Sequence, residues 1–410
     1  MSPTIRAPTR RAFVKTAAFA GIAGVYFGGA RLALRDDRWT PNRSFWVSRG
    51  RAAAGGPLRG ERAADVAIIG GGVTGLSTAL HLLERSPDLQ VVLLEAEYAG
   101  YGATGRSGGI LGNGTEIGTR PGTGDNVEHV IGIVERHRIE CDLERDPETR
   151  LDPYRYAVGL KRAAEGLGAV VHEGSRVRGL EDGSTVTLRG DGFVLRAAKV
   201  IVATNGYTPK LGVAGRRLFP AHTAAAVTPP LPPEILADVP ESILVMTSGE
   251  MYMWGRKAPG GRVLVGAGAR YFYDDGLCYK GDRFLFPALH RCLAKEFPAL
   301  ARFPFEHAWT GPMGCTTDQE PIIGTHGESR NIIYCGGYCG HGMAMGTRAG
   351  AFLAGMLHGE PPPAWLLRPT QDLPPEPLRY VVINSVINMM NLGLYHMPKR
   401  DTGGEEAAPA

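Results

Sequence analysis

The sequence predicts an α/β fold with two domains, one on a mainly parallel sheet and one on a mainly antiparallel sheet. Residues 65–69 form a short apolar run that leads into a glycine-rich turn and an amphipathic pattern over residues 76–85. This is the order of a Rossmann-like strand–turn–helix unit. A second apolar run follows at residues 90–94. Between residues 244 and 270, apolar and polar side chains alternate, which is typical of antiparallel strands.

Length and composition fit a globular protein with a sizeable core. The chain has 410 residues, of which 43% are hydrophobic and 21% charged. Its 57 glycines have no fixed period and cluster in short loops between apolar runs. The formal net charge is only +4, and no basic stripe is interleaved with aromatic residues. The sequence therefore argues against a nucleic acid as partner.

The cysteines predict neither a disulfide framework nor a metal site. None of the six is part of a CxxC pair, and none has zinc-ligand spacing. We interpret them as small buried apolar side chains. They are Cys141, Cys278, Cys292, Cys315, Cys335 and Cys339.

The N-terminus predicts export. Arg10 and Arg11 form a twin-arginine pattern that precedes a mildly apolar stretch over residues 16–30, as in a twin-arginine signal. The location would then be periplasmic or otherwise exported. No good Ala-x-Ala cleavage site follows, so the segment could also stay as an N-terminal membrane anchor. The alternative is a basic tail that runs into an ordinary helix.

The glycine-rich turn predicts a dinucleotide site. Gly70 permits the tight turn, Gly72 lets the backbone approach the pyrophosphate, and Gly75 lets the helix pack closely on the strand. The helix N-terminus offers N–H groups to the phosphates. Glu95, at the end of the second apolar run, would bind ribose hydroxyls.

A second glycine-rich loop bears on which dinucleotide is bound. Residues 102–109 follow closely after Glu95, and such a loop lets the backbone pass under an extended cofactor. Arg106 could neutralise a phosphate or lie near the cofactor's ring. The alternative is a flexible surface loop, since loops are commonly rich in glycine.

With these motifs in view, the chain resembles the FAD-dependent amine and amino-acid oxidoreductases of the D-amino-acid oxidase superfamily. It looks closest to the branch of glycine oxidase, sarcosine oxidase and gamma-glutamylputrescine oxidoreductase. Four blocks carry the resemblance: residues 70–75 with Glu95, residues 102–109, residues 151–209 and residues 309–342. The last block opens a helix that ends near Leu357.

The resemblance implies a Rossmann-like FAD-binding domain and a second, mainly antiparallel β-sheet substrate domain. It implies FAD bound non-covalently, because Cys315 is shifted from the cysteine that tethers flavin in some relatives. The implied cofactor-binding residues lie in the four blocks. They are Gly70, Gly72, Val73, Thr74, Gly75, Glu95, Ala96, Gly102, Thr104, Gly105, Arg106, Ser107, Gly108, Gly109, Val177, Ala203, Thr204, Asn205, Gly206, Gly337, Tyr338, Gly340, His341 and Gly342.

The resemblance also implies the reaction. An amine or amino acid would lose a hydride equivalent from the carbon that bears nitrogen, and the resulting imine would hydrolyse. Tyr252, Arg256 and His341 are the candidate catalytic residues. The alternatives are aromatic core packing with an arginine at the strand end, and a backbone role for His341 in its turn.

The electron acceptor would be dioxygen or a membrane quinone or cytochrome. Relatives that react strongly with oxygen have a lysine on the strand that corresponds to residues 262–270. No lysine lies there in this chain, which favours a dehydrogenase over an oxidase.

The predicted organisation has six parts, one of which departs from the family. They are a signal or anchor (1–34), a linker with some irregular packing (35–63), the first part of the FAD-binding domain (64–218), the substrate-domain sheet (219–305), the second part of the FAD-binding domain (306–360), and a C-terminal tail and helix (361–410). Only a short polar stretch, near residues 142–152, stands where the family has several dozen residues. The alternative function is therefore an FAD-binding protein with little or no catalytic activity.

Overall fold

The computed structural model describes residues 35–36, 43–53, 55–145, 148–246, 252–277, 281–282 and 285–391. The predicted signal at residues 1–34 lies outside the described residues, as does the end of the predicted C-terminal tail. Within the described part of the chain, no helix combines the length and apolar composition needed to cross a bilayer.

The described strands and helices follow in chain order. The strands are β1 (Arg35–Asp36), β2 (Gly60–Ile69), β3 (Val91–Leu94), β4 (Val170–His172), β5 (Val177–Glu181), β6 (Val186–Gly190), β7 (Phe193–Val202), β8 (Phe219–Val227), β9 (Ser242–Met246), β10 (Tyr252–Ala258), β11 (Arg262–Arg270), β12 (Gly281–Asp282), β13 (His307–Cys315), β14 (Ile322–His326) and β15 (Ile332–Gly336). The helices are α1 (Phe45–Ser48), α2 (Val73–Arg85), α3 (Asn126–Arg136), α4 (Pro153–Gly166), α5 (Pro233–Ala237), α6 (Leu285–Glu296), α7 (Gly342–Leu357) and α8 (Leu378–Asn391).

The first layer is a mixed sheet of eight strands in the order β14-β15-β7-β2-β3-β4, with β6 beside β7 and β5 beside β6. The β15–β7, β7–β2, β2–β3 and β3–β4 pairs are parallel. Because side chains alternate along a strand, Val66 and Ile68 of β2 pack in the core that includes α2, α4 and α7, whereas Ala67 and Ile69 pack in the core that includes β5 and β6.

The second layer is an antiparallel sheet in the order β13-β8-β11-β10-β9. Its outer face packs on α6, with Met253 and Val265 among the buried contacts. Its inner face meets the first domain through a cluster that includes Tyr154 and Trp309. A two-stranded pair, β1–β12, completes the described strands.

Strand β13 belongs to the antiparallel sheet, although the boundary drawn at residue 306 assigns it to the FAD-binding part. The strand pairs with β8 along its whole length, from His307 opposite Val227 to Cys315 opposite Phe219. The resemblance groups this strand with the loop that follows it. The backbone pairing that places it in the other sheet is non-local and has no signature in the sequence.

The described residues between 43 and 59 include side chains that pack between the two domains, in addition to the linker role that the sequence predicts. Trp46 is only 1% exposed and lies between the two domains. Its indole Nε1 donates to the carbonyl of Ser107 at 2.8 Å, and the Arg256 guanidinium stands 5.0 Å from its ring centroid. Strand β2 also begins at Gly60, before the predicted start of the domain. This segment therefore joins the loop at residues 102–109, the cofactor loop, to the antiparallel sheet.

The shortened connection near residues 142–152 is closed by its own hydrogen bonds. Glu144 and Arg150 exchange backbone bonds of 2.8 and 2.9 Å. The Arg150 guanidinium reaches the Glu241 carboxylate at 2.9 Å, just before β9. Asp152 then caps α4, accepting from two backbone N–H groups of its first turn at 3.0 Å. The short connection thus ties the first domain to the edge of the antiparallel sheet.

Candidate cofactor site and active site

The turn after β2 is packed so tightly that side chains have no room. Gly70 has φ +113°, and a Cβ there would lie 2.7 Å from the carbonyl oxygen of Ala203. A Cβ on Gly75 would lie 2.1 Å from the carbonyl oxygen of Gly70. Gly72 precedes α2 and supplies no side-chain cap, while Thr104 Oγ1 accepts from the first N–H of the helix, that of Val73. The helix N-terminus lies at the carboxyl ends of β2 and β7, where the rest of its first turn can face a ligand.

Glu95 lies against the same turn. Its Oε2 accepts from the N–H of Gly71 at 2.7 Å, and its Oε1 accepts from the N–H of Glu97 at 2.9 Å, across Ala96. Burial raises the pKa of the Glu95 carboxyl. The carbonyl of Glu95 accepts from Ser175, two residues before Val177 begins β5. The predicted ribose and adenine residues thus lie side by side.

The second glycine-rich loop is attached to the first. The N–H of Gly100 donates to the carbonyl of Gly71 at 2.8 Å, and Thr104 Oγ1 accepts from the N–H of Val73 at 3.2 Å. A Cβ on Gly105 would lie 2.3 Å from the carbonyl oxygen of Gly100. This loop is therefore built into the fold, in contrast to the flexible loop considered as its alternative.

The end of this loop meets the antiparallel sheet. A Cβ on Gly108 would lie 2.5 Å from the indole of Trp254 on β10, and one on Gly109 would lie 2.1 Å from the carbonyl oxygen of Leu151. Ser107 Oγ donates to the carbonyl of Thr104 at 3.0 Å. A Cβ on Gly102 would be in ordinary contact with Tyr207.

Arg106 has a structural position between the domains. Its guanidinium donates to the carbonyls of Tyr101 and Thr310 at 2.9 and 3.0 Å. Its own carbonyl accepts from the Trp309 indole at 2.9 Å. The guanidinium therefore forms hydrogen bonds with backbone carbonyls of both domains.

The end of β7 touches the fourth block. Asn205 has φ +45°, and its Oδ1 accepts from the N–H of Gly337 at 2.9 Å. A Cβ on Gly206 would lie 3.2 Å from the N of Gly314 on β13. The hydroxyl of Thr204 contacts that of Thr208 at 2.9 Å. The residues after β7 thus contact both the loop at residues 337–342 and the end of β13.

The loop at residues 337–342 packs against the start of α2. Gly337 and Gly340 have φ +88° and +114°. The buried Tyr338 hydroxyl lies 2.8 Å from Thr74 Oγ1, and burial raises the pKa of this phenol well above its ordinary value. Helix α7 begins at Gly342, and among the described residues no side chain caps it at His341. The N-termini of α2 and α7 therefore meet here.

His341 has a carboxylate partner that the sequence did not indicate. Its Nδ1 lies 2.7 Å from Glu116 Oε2, and the two side chains are 39% and 36% exposed. Glu116 lies in the irregular segment after the cofactor loop, 225 positions from His341. An isolated acid in such a segment gives no signal in a single sequence.

Two arginines that the sequence did not indicate, Arg120 and Arg368, hold a part of the fourth block that packs against the 337–342 loop. Arg368 makes a two-point contact with Asp318, at 2.7 and 2.8 Å. Burial alone would raise the pKa of Asp318, but this pair with Arg368 lowers it. Arg120 forms an ion pair with the fully buried Glu320. These contacts fix residues 316–321, which lie against Gly337.

The two candidates on β10 lie on a strand of the antiparallel sheet. Tyr252 pairs with Met246 through its backbone, and its side chain lies outside the described residues. Arg256 is 3% exposed; its Nη2 donates to the carbonyl of Leu151 at 3.2 Å, and its Nε has no partner among the described residues. Burial lowers the pKa of Arg256 to about 10. Its position is that of a packed side chain covered by Trp46, and a substrate role for it stays a prediction.

The site as a whole fits an extended ligand with an anionic centre. All four blocks meet at the carboxyl ends of β2 and β7. The glycines let backbone segments approach each other where a Cβ would clash, and α2 and α7, whose N-cap residues supply no side-chain cap, bring their N-termini together. Such N-termini attract negative charge. FAD has these properties, and the residues present can hold it.

Comparison with known proteins identifies relatives of this architecture. The FAD dependent oxidoreductase (DAO) family matches residues 65–147 and 145–356. The chain is 27% identical to the probable oxidoreductase OrdL of Rhizobium meliloti, over 74% of this chain and 85% of that protein. It is 26% identical to gamma-glutamylputrescine oxidoreductase of Escherichia coli, over 72% and 84%. Glycine oxidase from Geobacillus kaustophilus has a similar fold, with a TM-score of 0.60 at 19% identity over 73% of this chain and 95% of that one.

The family match is divided at the short connection. Its two stretches meet at residues 145–147, within the region where the sequence lacks the expected segment. The comparison with OrdL spans 376 positions but covers only 74% of this chain. That relative therefore has segments that this chain lacks.

The structural likeness confirms the predicted α/β fold, and the relatives confirm the predicted enzyme class, an oxidoreductase that uses FAD. The family match covers more than half of the chain. The chain belongs to the DAO family of FAD-dependent oxidoreductases.

Proposed function

We propose that this enzyme oxidises the C–N bond of an amine or amino acid to an imine, which then hydrolyses, and that it binds FAD non-covalently. One observation carries the proposal: the four blocks meet around the N-termini of α2 and α7, joined by the contact of 2.8 Å between Thr74 and Tyr338. The named relatives include an oxidoreductase of gamma-glutamylputrescine and a glycine oxidase, whose substrates are an amine and an amino acid.

The chain would hold FAD along the line of these blocks. The first turn of α2 would hold the pyrophosphate, Glu95 would bind the ribose, and Val177 would lie at the adenine end. The N-terminus of α7 lies where the ring would end, and its positive dipole favours negative charge there. Bound FAD supplies a two-electron acceptor, while the protein supplies orientation and electrostatics.

His341 and Glu116 supply a proton acceptor at the mouth of the site. An ammonium substrate must lose a proton before it can give up a hydride equivalent. When His341 Nδ1 donates to Glu116 Oε2, which lies 2.7 Å away, the neutral ring has a free lone pair on Nε2. We propose that Nε2 accepts this proton. Glu116 is then a positioning residue that sets the tautomer.

The electron acceptor belongs to the same proposal. Strand β11, residues 262–270, has no lysine, which favours a membrane quinone or a cytochrome over dioxygen.

The alternative function, FAD binding without catalysis, has no support from the relatives, which are named as oxidoreductases. The short connection is also closed by hydrogen bonds of its own. It therefore still holds the edge of the antiparallel sheet in place.

The proposed reaction predicts that an amine or amino acid reduces the bound flavin. The FAD-loaded protein is mixed anaerobically with a panel of primary amines, secondary amines and amino acids, and absorbance near the flavin peaks is followed. At least one compound should bleach the flavin, and a quinone analogue should restore the colour faster than air does. Persistent colour with every compound would contradict the proposed reaction but leave FAD binding intact.

Replacement of Glu116 tests the proton acceptor. Glu116→Ala should lower kcat/KM by roughly tenfold at neutral pH, since His341 loses its orienting partner. The deficit should shrink above about pH 10, where an alkyl ammonium resembling a lysine side chain arrives neutral. Glu128→Ala, at an exposed carboxylate on α3, is the matched control. An equal deficit at every pH would indicate a purely structural role for Glu116.

We propose in addition that the protein is exported by the twin-arginine route, on the evidence of Arg10 and Arg11. This route transports folded chains, which suits a protein that folds around a cofactor. Replacing both arginines by lysine should leave the protein in the cytoplasm, as seen by fractionation and immunoblotting. Replacing Arg6 by lysine is the control. Unchanged export of the double variant would refute this localisation.

A further inference from the structure

Two cysteines lie together where the antiparallel sheet meets the 337–342 loop. Cys315 is the last residue of β13, and Cys339 lies in the loop. The N–H of Cys339 donates to the carbonyl of Gly314 at 3.0 Å, which sets the two backbones side by side. The neighbouring Cys339 side chain and burial raise the pKa of Cys315 well above its ordinary value.

The two cysteines differ in access. Cys315 is 8% exposed, whereas Cys339 is only partly buried. Cys339 Sγ donates to the carbonyl of Gly337 at 3.3 Å and lies 4.0 Å from Thr316 Oγ1. A reagent in solution would therefore reach Cys339 first, with Cys315 directly behind it.

We propose that Cys315 and Cys339 are a redox-active pair that closes to a disulfide in an oxidising compartment. A bridged pair needs Cα atoms within about 7 Å, and the hydrogen bond from the Cys339 N–H to the carbonyl of Gly314, the residue before Cys315, brings the two backbones together. The bond would tie the 337–342 loop to the end of β13. No step of the proposed amine chemistry is needed for it.

The oxidant is a low-molecular-weight disulfide. The Cys339 thiolate attacks one of its sulfurs and releases one thiol, leaving a mixed disulfide. Cys315 then loses its proton and attacks Cys339 Sγ, which releases the second thiol. The pair loses two protons and two electrons in total, and the reagent disulfide is reduced to two thiols.

The bond would act on the loop because the loop is held in an uncommon backbone conformation. Cys339 has φ +51°, and Gly337 and Gly340 on either side also have positive φ. Left-handed conformations are costly for residues other than glycine. A covalent link to β13 would hold Cys339 in this conformation and fix the turn that starts α7.

Peptide mapping tests the pair directly. The full-length FAD-loaded protein is incubated with oxidised glutathione or with dithiothreitol, denatured, alkylated and digested with trypsin. Cys315 falls in the peptide 303–330 and Cys339 in 331–348. The oxidised sample should contain these two peptides linked, about 2 Da lighter than the two reduced peptides together, with fragment ions that place the bond at Cys339.

Single substitutions define the partners. Cys315→Ser and Cys339→Ser should each abolish the link. Cys335→Ser, which removes the neighbouring thiol in the same peptide, and Cys292→Ser, at a buried thiol in α6, should leave it intact. Complete alkylation of both cysteines after oxidation would overturn the proposal. So would a stable glutathione adduct on Cys339 without the link, or a link that survives in Cys339→Ser. These results do not depend on turnover of any amine.

Discussion

The close approach of backbone to backbone after β2 is the constraint on which the rest of the site depends. A Cβ on Gly75 would lie 2.1 Å from the Gly70 carbonyl, so α2 can take its position only because this residue is glycine. Helix α7 in turn packs on α2 at Gly346 and Gly350, where a Cβ would lie 2.9 and 2.6 Å from Thr74 and Ser77. The Ser77 hydroxyl donates to the carbonyl of Thr347 at 2.7 Å. Small residues thus allow both helices to pack closely, and this packing determines where their N-termini meet.

Contacts across the domain boundary add a second level of order. Trp46, Arg106 and Trp309 connect the cofactor loop to the antiparallel sheet through backbone carbonyls. Residues on loops can be held accurately only when such contacts fix them. The sequence predicts a shortened connection near residues 142–152. This connection, closed by Glu144 and Arg150, ties the first domain to the sheet edge near Glu241.

Local patterns predicted much of this arrangement, and non-local contacts account for what they did not predict. The strand–turn–helix unit, Glu95 and the helix after residue 341 follow from residues adjacent in sequence, and the structure brings them together as expected. Strand β5 begins at Val177, where its pairing with Gly190 of β6 begins. Trp46, Glu116 and Arg368 are defined by partners 61, 225 and 50 positions away. A single sequence contains no signal for such pairs. The domain boundaries and the roles of the individual site residues stay predictions.

The central claim is that one FAD molecule lies along the four blocks, and its stoichiometry and attachment can be measured directly. The purified protein is reconstituted with FAD, freed of excess cofactor and precipitated with acid, and flavin is quantified in the supernatant and the pellet. The account predicts close to one FAD per chain, all of it released into the supernatant. A protein that retains no flavin, or that binds a nicotinamide dinucleotide instead, would contradict the account.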